Sequence, residues 1–549
     1  MNNLFDHERM IDVGPHEFRR SVQRLLLQND FDVFSVDGPG DGGGDLYCEK
    51  NSERWIIQSK WKKNGKVGPK VIEEILKARV KYDAHQSIIV TNQIFSGTTI
   101  TRAAQLQGEG LKLDLWTGSN LRQFNRESPV WRTQKTLRPY QNLAFQELQK
   151  DLSDNGRALL YLATGMGKTV VAGAVIRNLI AEKPNAKVLL LAHMNELIEQ
   201  LQKALWEDLP LHVMSQIVNS DNAPDLLDGL TVATNLSIEK YIDAGYKPDL
   251  LIIDECHHIG KNNTYRKIIS KLSEVPILGV TATPWRGDRF QIETIFGKPS
   301  YTCGIEEGMK KGYLSPVDYR LYCDNINWEI VPELSRNEYS IKQLNRKLFI
   351  PQRDEQIVDA LIETWIEEST PKCIVFCQSV VHAERMHKKL VAYDRWKTAE
   401  IIHSKLKKNE RRMALLRFRS KECPVLVAVD ILNEGVDIPN VNIVCFARVT
   451  HSRKIFVQQL GRGPRVADGK VKVTVLDFAA DTRRLASIYN LQSAVQKTDP
   501  IEDVELKDNK IHFKDERAKS LIEEWIRDAA DLETLDQESR LQFPQVTLN

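Results

Sequence analysis

Leu159-Leu160-Tyr161-Leu162-Ala163-Thr164-Gly165-Met166-Gly167-Lys168-Thr169 decides how this chain is read. A short apolar run breaks at two closely spaced glycines, passes a lysine and a hydroxyl residue, and enters a helical pattern. A strand that delivers a phosphate-binding loop to a helix N-terminus has this form. Glycine lets the backbone curl so that successive N–H groups face phosphate oxygens, and the helix dipole favours the negative charge. Thr164, Gly165, Gly167, Lys168 and Thr169 then line a nucleotide. Lys168 reaches its outer phosphates and the Thr169 hydroxyl is placed to ligate Mg²⁺. Leu162 stands where the first glycine of the usual pattern would be.

Working outward, 250–254 is an apolar strand that ends in two carboxylates, Asp254-Glu255-Cys256-His257. In a doubly wound sheet such a strand end lies beside the phosphate loop. Asp254 is suited to hold Mg²⁺ through water, and Glu255 to orient and deprotonate the attacking water. Strands at 158–162, 187–192, 230–233, 250–254 and 277–280 alternate with helical patterns, which predicts a doubly wound parallel sheet. A second alternating block has strands at 373–377, 425–428, 442–447 and 472–477. It carries Gln458-Gln459-Leu460-Gly461-Arg462-Gly463-Pro464-Arg465, where Arg462 and Arg465 share one helix face at i, i+3 spacing. Two lobes that clamp one nucleotide, with arginines supplied across the cleft, is the geometry this implies.

In these motifs, over about 137–485, the chain resembles the superfamily 2 helicases and translocases. Leu137-Arg138-Pro139-Tyr140-Gln141 is similar to the adenine-reading segment, Ala163–Thr169 to motif I, and Asp254–His257 to motif II in its DECH form. Thr281-Ala282-Thr283 resembles motif III. Val429-Asp430 with Glu434-Gly435-Val436-Asp437 resembles motif V, and Gln458–Arg465 motif VI. The resemblance implies ATP as fuel, Gln141 on the adenine, Asp437 near the nucleotide, and nucleic-acid contacts from His193 through Glu196, Thr234 and Ser379.

The first 128 residues form a separate pattern. A helix with apolar Phe18, Val22, Leu25 and Leu26 leads to a strand at 31–36, a glycine-rich turn, and strands at 45–49 and 55–61. A helix at 71–82, a strand at 87–91 and a helix near 99–106 follow. Along 55–61 side chains alternate, so Ile56, Gln58 and Lys60 share a face. A turn centred near residue 52 brings Asp45 opposite residues 59–60. Acid, amide and lysine then surround one small volume, and Gly42-Gly43-Gly44 leaves room for a phosphodiester backbone. Asp45 and the Gln58 carbonyl oxygen are suitable Mg²⁺ ligands, and Lys60 can stabilise developing negative charge or activate water.

This stretch resembles the Mrr-type branch of the PD-(D/E)xK restriction endonucleases over about 14–125. Asp45 matches the metal-binding aspartate, and Gln58-x-Lys60 the QxK form of the usual ExK. The branch also places a glutamate inside the first helix. Glu17 stands one position early by spacing, with Asp41 as a substitute or a turn-shaping residue. Lys60, Lys62, Lys63, Lys66 and Lys70, with Trp55 and Trp61 between them, form either a duplex-binding face or a solvated loop. Two functions follow from the whole. One is an ATP-dependent DNA translocase with its own metal-dependent endonuclease. The other is a DNA or RNA remodeller or sensor whose first domain only binds DNA.

Length and composition are consistent with this. The 549 residues predict three or four domains, with 42% hydrophobic and 27% charged residues, as in ordinary globular protein. The net charge of +2 requires nucleic-acid contacts to be local patches. The 8 cysteines form no CxxC pair, which argues for reduced thiols in a cytoplasmic protein and against a zinc site. No apolar run nears the ~18 residues of a membrane span. The expected fold is α/β: a restriction-endonuclease-like domain at 1–128, then two RecA-like doubly wound parallel-sheet lobes at 129–310 and 356–488. A connector at 311–355 joins the lobes, and a tail with a helix at 516–529 occupies 489–549. No protein-partner motif is readable.

Overall fold

A computed structural model describes residues 4–6, 10–11, 13–36, 43–131, 136–163, 165–193, 195–220, 222–260, 264–282, 291–304, 307–308, 311–313, 317–322, 338–340, 354–377, 379–419, 422–429, 441–447, 473–478, 504–507, 510–513 and 540–542. The chain divides into two compact units. The first holds Met1–Leu160, Thr169–Val280 and Ile295–Ser300; the second holds Tyr161–Lys168, Thr281–Thr294 and Tyr301–Asn549.

In the first unit, α1 (Gly14–Gln28) starts with proline in its first turn, where the missing N–H costs nothing. Phe18, Val22, Leu25 and Leu26 recur at helical spacing and are buried. A five-stranded sheet follows, in the order β1 (Asp32–Ser35), β2 (Leu46–Lys50), β3 (Glu53–Lys60), β4 (Gln86–Thr91) and β5 (Leu113–Trp116). β1, β2 and β3 run antiparallel as a meander, and β3, β4 and β5 are parallel. The helix α2 (Lys70–Lys81) crosses between β3 and β4, and α3 (Gly97–Gly108) between β4 and β5.

The β2–β3 turn corrects the expected register by one residue. Asn51 and Ser52 both take left-handed φ, 52° and 65°. That is the two-residue hairpin turn whose twist suits the flanking strands. Its centre therefore falls between the two residues. Leu46 pairs with Ile57, and the Asp45 N–H donates to the Ile57 carbonyl at 2.9 Å, so Asp45 faces Gln58 rather than residues 59–60. The sequence patterns of β5 and of α4 (Gly118–Glu127) were too short and too polar to be expected, yet both complete the domain.

The next sheet contains β6 (Arg157–Leu162), β7 (Val188–Ala192), β8 (Ser215–Val218), β9 (Leu230–Thr234), β10 (Leu250–Asp254), β11 (Ile277–Thr281) and β12 (Tyr301–Cys303), in the spatial order β8-β9-β7-β10-β11-β6-β12. Strands β8, β9, β7, β10 and β11 are parallel. The central strands are apolar throughout, as a parallel sheet covered on both faces requires. The two short edge strands, β8 and β12, are the ones periodicity did not reveal.

The first domain is built into this lobe. Leu211 and Met214 join Phe18, Val22, Leu25 and Leu26 in one buried cluster. On the other side of α1, Arg24 lies buried and its guanidinium donates to the carbonyls of Val213 (2.6 Å), Leu209 (3.2 Å) and Pro210 (2.8 Å). Burial lowers its pKa to about 9. Lys203 donates to the Val33 carbonyl at 2.7 Å, and Gln28 to that of Pro129 at 2.8 Å.

The second unit contains β13 (Val317–Tyr322), β14 (Cys373–Phe376), β15 (Glu400–Ile402), β16 (Val425–Ala428), β17 (Ile443–Phe446), β18 (Val473–Asp477), β19 (Val504–Lys507) and β20 (Lys510–Phe513), ordered β15-β16-β14-β17-β18-β13-β20-β19. β13 falls in the stretch read as a connector and pairs parallel with β18; the hairpin β19–β20 falls in the tail and pairs antiparallel with β13. The helix expected at 516–529 lies outside the described residues. Seven cysteines among the described residues are free and buried. No helix among them is long and apolar enough to cross a membrane.

Candidate active sites

The C-terminal end of β3 gathers the predicted nuclease residues. Gln58 is 2% exposed. Its Nε2 donates at 2.7 Å to Glu74 Oε2, and the Lys60 ammonium pairs with the same oxygen at 2.7 Å. Between them, the N–H and hydroxyl of Ser59 donate to Asp45 Oδ2 at 2.6 and 2.8 Å. Three consecutive strand residues thus hold two carboxylates. Glu74, on α2, was not foreseen. An acid within a charged helix gives no periodic signal, and only the crossing of α2 over β3 brings it to the site. Burial raises its pKa, but hydrogen bonds from Lys60 and Gln58, with the charges of Lys60 and Lys70, more than offset this and hold it below the usual glutamate value.

Gly43 explains the glycine run. It has φ +93°, and a Cβ there would stand 2.7 Å from Glu74 Cβ and 3.0 Å from the Glu74 carbonyl oxygen. The loop leading to Asp45 therefore passes directly against α2. Asp41 lies outside the described residues. Carboxylate oxygens and an amide oxygen form a donor set that suits a hard divalent cation. The Gln58 Oε1 is buried and has no hydrogen-bond partner among the described residues.

Glu17 is placed elsewhere. It is buried, pairs with Arg20 at 2.5 Å, and accepts from the Ile217 N–H (3.3 Å) and Asn222 Nδ2 (3.1 Å) of the adjoining lobe. Desolvation raises its pKa. The expected lysine–tryptophan face also divides. Lys62, Lys63, Lys66 and Lys70 are exposed, whereas Trp55 and Trp61 pack on the core, Trp55 edge-on to Phe31 and Trp61 donating to the Met10 carbonyl at 2.7 Å. These rings hold the fold, and the four lysines stand apart from them on the surface.

In the phosphate loop, Gly165 and Gly167 take φ of +83° and +86°, the conformation that motivates glycine. Met166 is fully buried and anchors the loop, its N–H donating to the Ala163 carbonyl at 3.1 Å. Lys168 is the first residue of α6 (Lys168–Glu182), with Thr169 next to it. Gln141 lies in the first turn of α5 (Pro139–Asn155), buried, with its Oε1 accepting the Arg138 N–H at 3.0 Å.

At the end of β10, Asp254 is followed by Glu255 at φ 45°, ψ 51°, a left-handed conformation that bulky residues avoid. Such backbone strain is characteristic of functional sites. Glu255 Oε2 lies 3.2 Å from His257 Nδ1. The His257 ring contacts His258 at a 4.2 Å centroid distance, and His258 contacts His193 at 4.2 Å. His193, a nucleic-acid contact by resemblance, is thereby linked to Glu255 through two imidazoles. The other hydroxyl contacts both cap helices. Thr234 accepts the Ser237 N–H at 3.3 Å before the helix Asn235–Asp243, and Ser379 accepts the His382 N–H at 3.2 Å before the helix Val380–Leu390. Thr164, Asp437, Arg462 and Arg465 lie outside the described residues, as do Thr283, Asp430 and 434–436.

Comparison with known proteins assigns each part. Residues 11–124 match the restriction endonuclease family of Mrr catalytic domains, 134–286 the type III restriction enzyme res subunit, and 353–467 the helicase conserved C-terminal domain. The chain carries a restriction endonuclease domain of the Mrr type, followed by two helicase-type domains. The chain is 29% identical over 376 residues to a Schizosaccharomyces pombe protein assigned as a mitochondrial ATP-dependent helicase, irc3, with 64% of this chain and 58% of that protein covered. It is 27% identical over 394 residues to the type I restriction enzyme EcoAI endonuclease subunit of Escherichia coli, covering 64% and 47%. The chain thus spans about half the length of these two relatives. The Pyrococcus furiosus Hef helicase domain superposes with a TM-score of 0.45 at 17% identity, over 64% of this chain and 98% of that one.

Proposed function

We propose that this protein is an ATP-driven DNA translocase that cuts DNA with a Mg²⁺-dependent site in its first domain, acting in restriction, phage defence or DNA processing. The observation that carries this reading is the gathering of Asp45, Gln58 and Lys60 at the end of β3, in a domain whose core continues into the first helicase lobe.

Each residue has a task. Lys168 and the loop N–H groups hold the triphosphate of ATP, and Thr169 with Asp254 holds its Mg²⁺. Glu255 orients and deprotonates the attacking water. Arg462 and Arg465 stabilise the charge that develops on the γ-phosphate. His193, Thr234 and Ser379 contact the tracked strand. In the nuclease site, Asp45 and the Gln58 carbonyl hold Mg²⁺, which supplies Lewis acidity at the scissile phosphate. Lys60 neutralises charge gathering on that phosphate, and exposed Lys62, Lys63, Lys66 and Lys70 hold the flanking backbone.

The test is incubation of purified protein with plasmid DNA and Mg²⁺, with and without ATP, scored for phosphate release and nicking. DNA-stimulated phosphate release should vanish in Lys168→Ala, and nicking in Asp45→Ala and Lys60→Ala. Nicking that persists unchanged in both nuclease variants would remove the first domain from the chemistry.

A further inference from the structure

We propose that Glu74 is a metal-binding carboxylate of the nuclease site, borne on α2 and doing what a glutamate of the first helix cannot do in this chain. The inference rests on the nuclease reading and names a ligand that the sequence did not reveal.

Glu17 is removed from contention by geometry. It is buried against the adjoining lobe, where it answers Arg20, the Ile217 N–H and Asn222. Without it, Asp45 is the one predicted acid that the described residues leave at the site. Hard divalent cations favour several oxygen ligands, carboxylates above all. Glu74 is the acid that the fold brings in.

Its partners are the site residues themselves. Gln58 Nε2 and Lys60 Nζ converge on one oxygen, Glu74 Oε2, each at 2.7 Å. Only the amide nitrogen can donate to a carboxylate, so this contact fixes the orientation of the Gln58 side chain. The same amide leaves Oε1 buried with no hydrogen-bond partner among the described residues. An unanswered buried acceptor is costly, and is retained where a ligand completes it. An oxygen acceptor beside a carboxylate is completed by a cation.

Asp45 reaches the same stretch of β3 through Ser59. The loop ahead of it runs against Glu74 so closely that position 43 has no room for a Cβ. A surface counter-ion for Lys60 would need no such approach. In the metal-free state Lys60 and the Gln58 amide satisfy Glu74 and keep it ionised. A divalent cation would compete with Lys60 for it, leaving the ammonium available to the scissile phosphate.

Mn²⁺ titration calorimetry on the nucleotide-free full chain tests this without relying on cleavage. Asp45→Asn identifies the heat that belongs to the nuclease site. Glu74→Gln, which keeps a neutral acceptor for Lys60 and Gln58, should weaken that binding at least about tenfold, as loss of even supporting groups commonly does. Lys60→Gln should tighten it severalfold, and the gain should disappear in the double variant with Glu74→Gln. If Asp45→Asn abolishes the heat while Glu74→Gln binds Mn²⁺ like wild type, Glu74 is only a counter-ion and this inference is overturned. If neither Asp45→Asn nor Glu74→Gln alters binding, the metal-dependent nuclease reading fails first. Unaltered Mn²⁺ affinity in Lys60→Gln also counts against the competition described here.

Discussion

Gly43→Ala separates two physical reasons for glycine at the nuclease site. At φ +93° an alanine would be strained by about 1–2 kcal/mol. Its Cβ would also meet Glu74 Cβ at 2.7 Å and the Glu74 carbonyl at 3.0 Å. These atoms belong to the root of a helix residue and cannot swing aside, so overpacking adds roughly 1–3 kcal/mol. The expected loss is about 3 kcal/mol, or roughly 6–12 °C in melting temperature for a cooperative unit of ordinary domain size. Two other glycines isolate the contributions. Gly65 has φ +96° with nothing within 4 Å of a Cβ, so Gly65→Ala should show the backbone strain alone. Gly44 has no positive φ, and its Cβ would meet Ile56 Cδ1 at 2.7 Å, Ile56 Cγ1 at 2.9 Å and Ala78 Cβ at 3.1 Å, so Gly44→Ala should show a clash without backbone strain. Scanning calorimetry gives the melting temperatures, and plasmid nicking shows whether displacing Glu74 disables the site. A Gly43→Ala protein that melts and nicks like wild type would refute the close packing of this loop on α2.

Arg24→Met removes three charge-assisted bonds, at about 1.5–3 kcal/mol each, and relieves a burial cost of roughly 5 kcal/mol, so it should destabilise by about 2 kcal/mol and speed proteolysis between the first domain and its lobe. His258→Ala breaks the ring path between His193 and Glu255. It should reduce DNA stimulation of the ATPase by about 2- to 30-fold, measured against DNA-free turnover. Glu255→Gln should still bind ATP in an equilibrium assay while turnover falls by about 10²–10⁴-fold. Asp354 is buried, which raises its pKa, but His382 at 3.3 Å and Arg385 reverse this and hold it well below its ordinary 3.8. A depressed carboxylate stabilises above that ordinary value and ceases to do so as pH falls below it. Asp354→Asn should therefore cost about 3 kcal/mol at pH 7 and flatten the loss of stability below pH ~4 in acid denaturation.

What was legible in the sequence follows the physics of each signal. Fully apolar runs such as 250–253 and 425–428, flanked by turns and alternating with helical patterns, read as buried strands, and they matched. The glycines at 165 and 167 marked a backbone need, and both residues take positive φ. Short edge strands such as Ser215–Val218 carry too few residues to show a period, so their pattern fades into loop composition. The hairpin register was missed by one residue because Asn51-Ser52 gives a weaker turn signal than Asn-Gly, and the turn type fixes the register. Glu74 and the two-ring link from His193 to Glu255 were illegible in principle. Both arise from elements far apart in sequence that meet only when the sheets form.

The polar face of α1 gives a physical reason for the proposed ligand set of the nuclease site to depart from the expected pattern. Glu17, Arg20, Arg24 and Gln28 follow i, i+3, i+7 and i+11, one stripe along the helix opposite Phe18, Val22 and Leu25. In isolation such a stripe reads as a solvated face. Here Glu17, Arg24 and Gln28 bond backbone groups of the adjoining lobe or its lead-in, and Arg20 lies 3.6 Å from Glu199. A glutamate committed to that surface cannot also ligate a metal at the end of β3. A carboxylate for the site then has to come from another element, and α2 is the helix that crosses β3. It follows that Glu17→Gln should alter the attachment of the first domain while leaving Mn²⁺ binding intact, the reverse of Glu74→Gln. Loss of Mn²⁺ binding in Glu17→Gln with the attachment unchanged would break the link between the two.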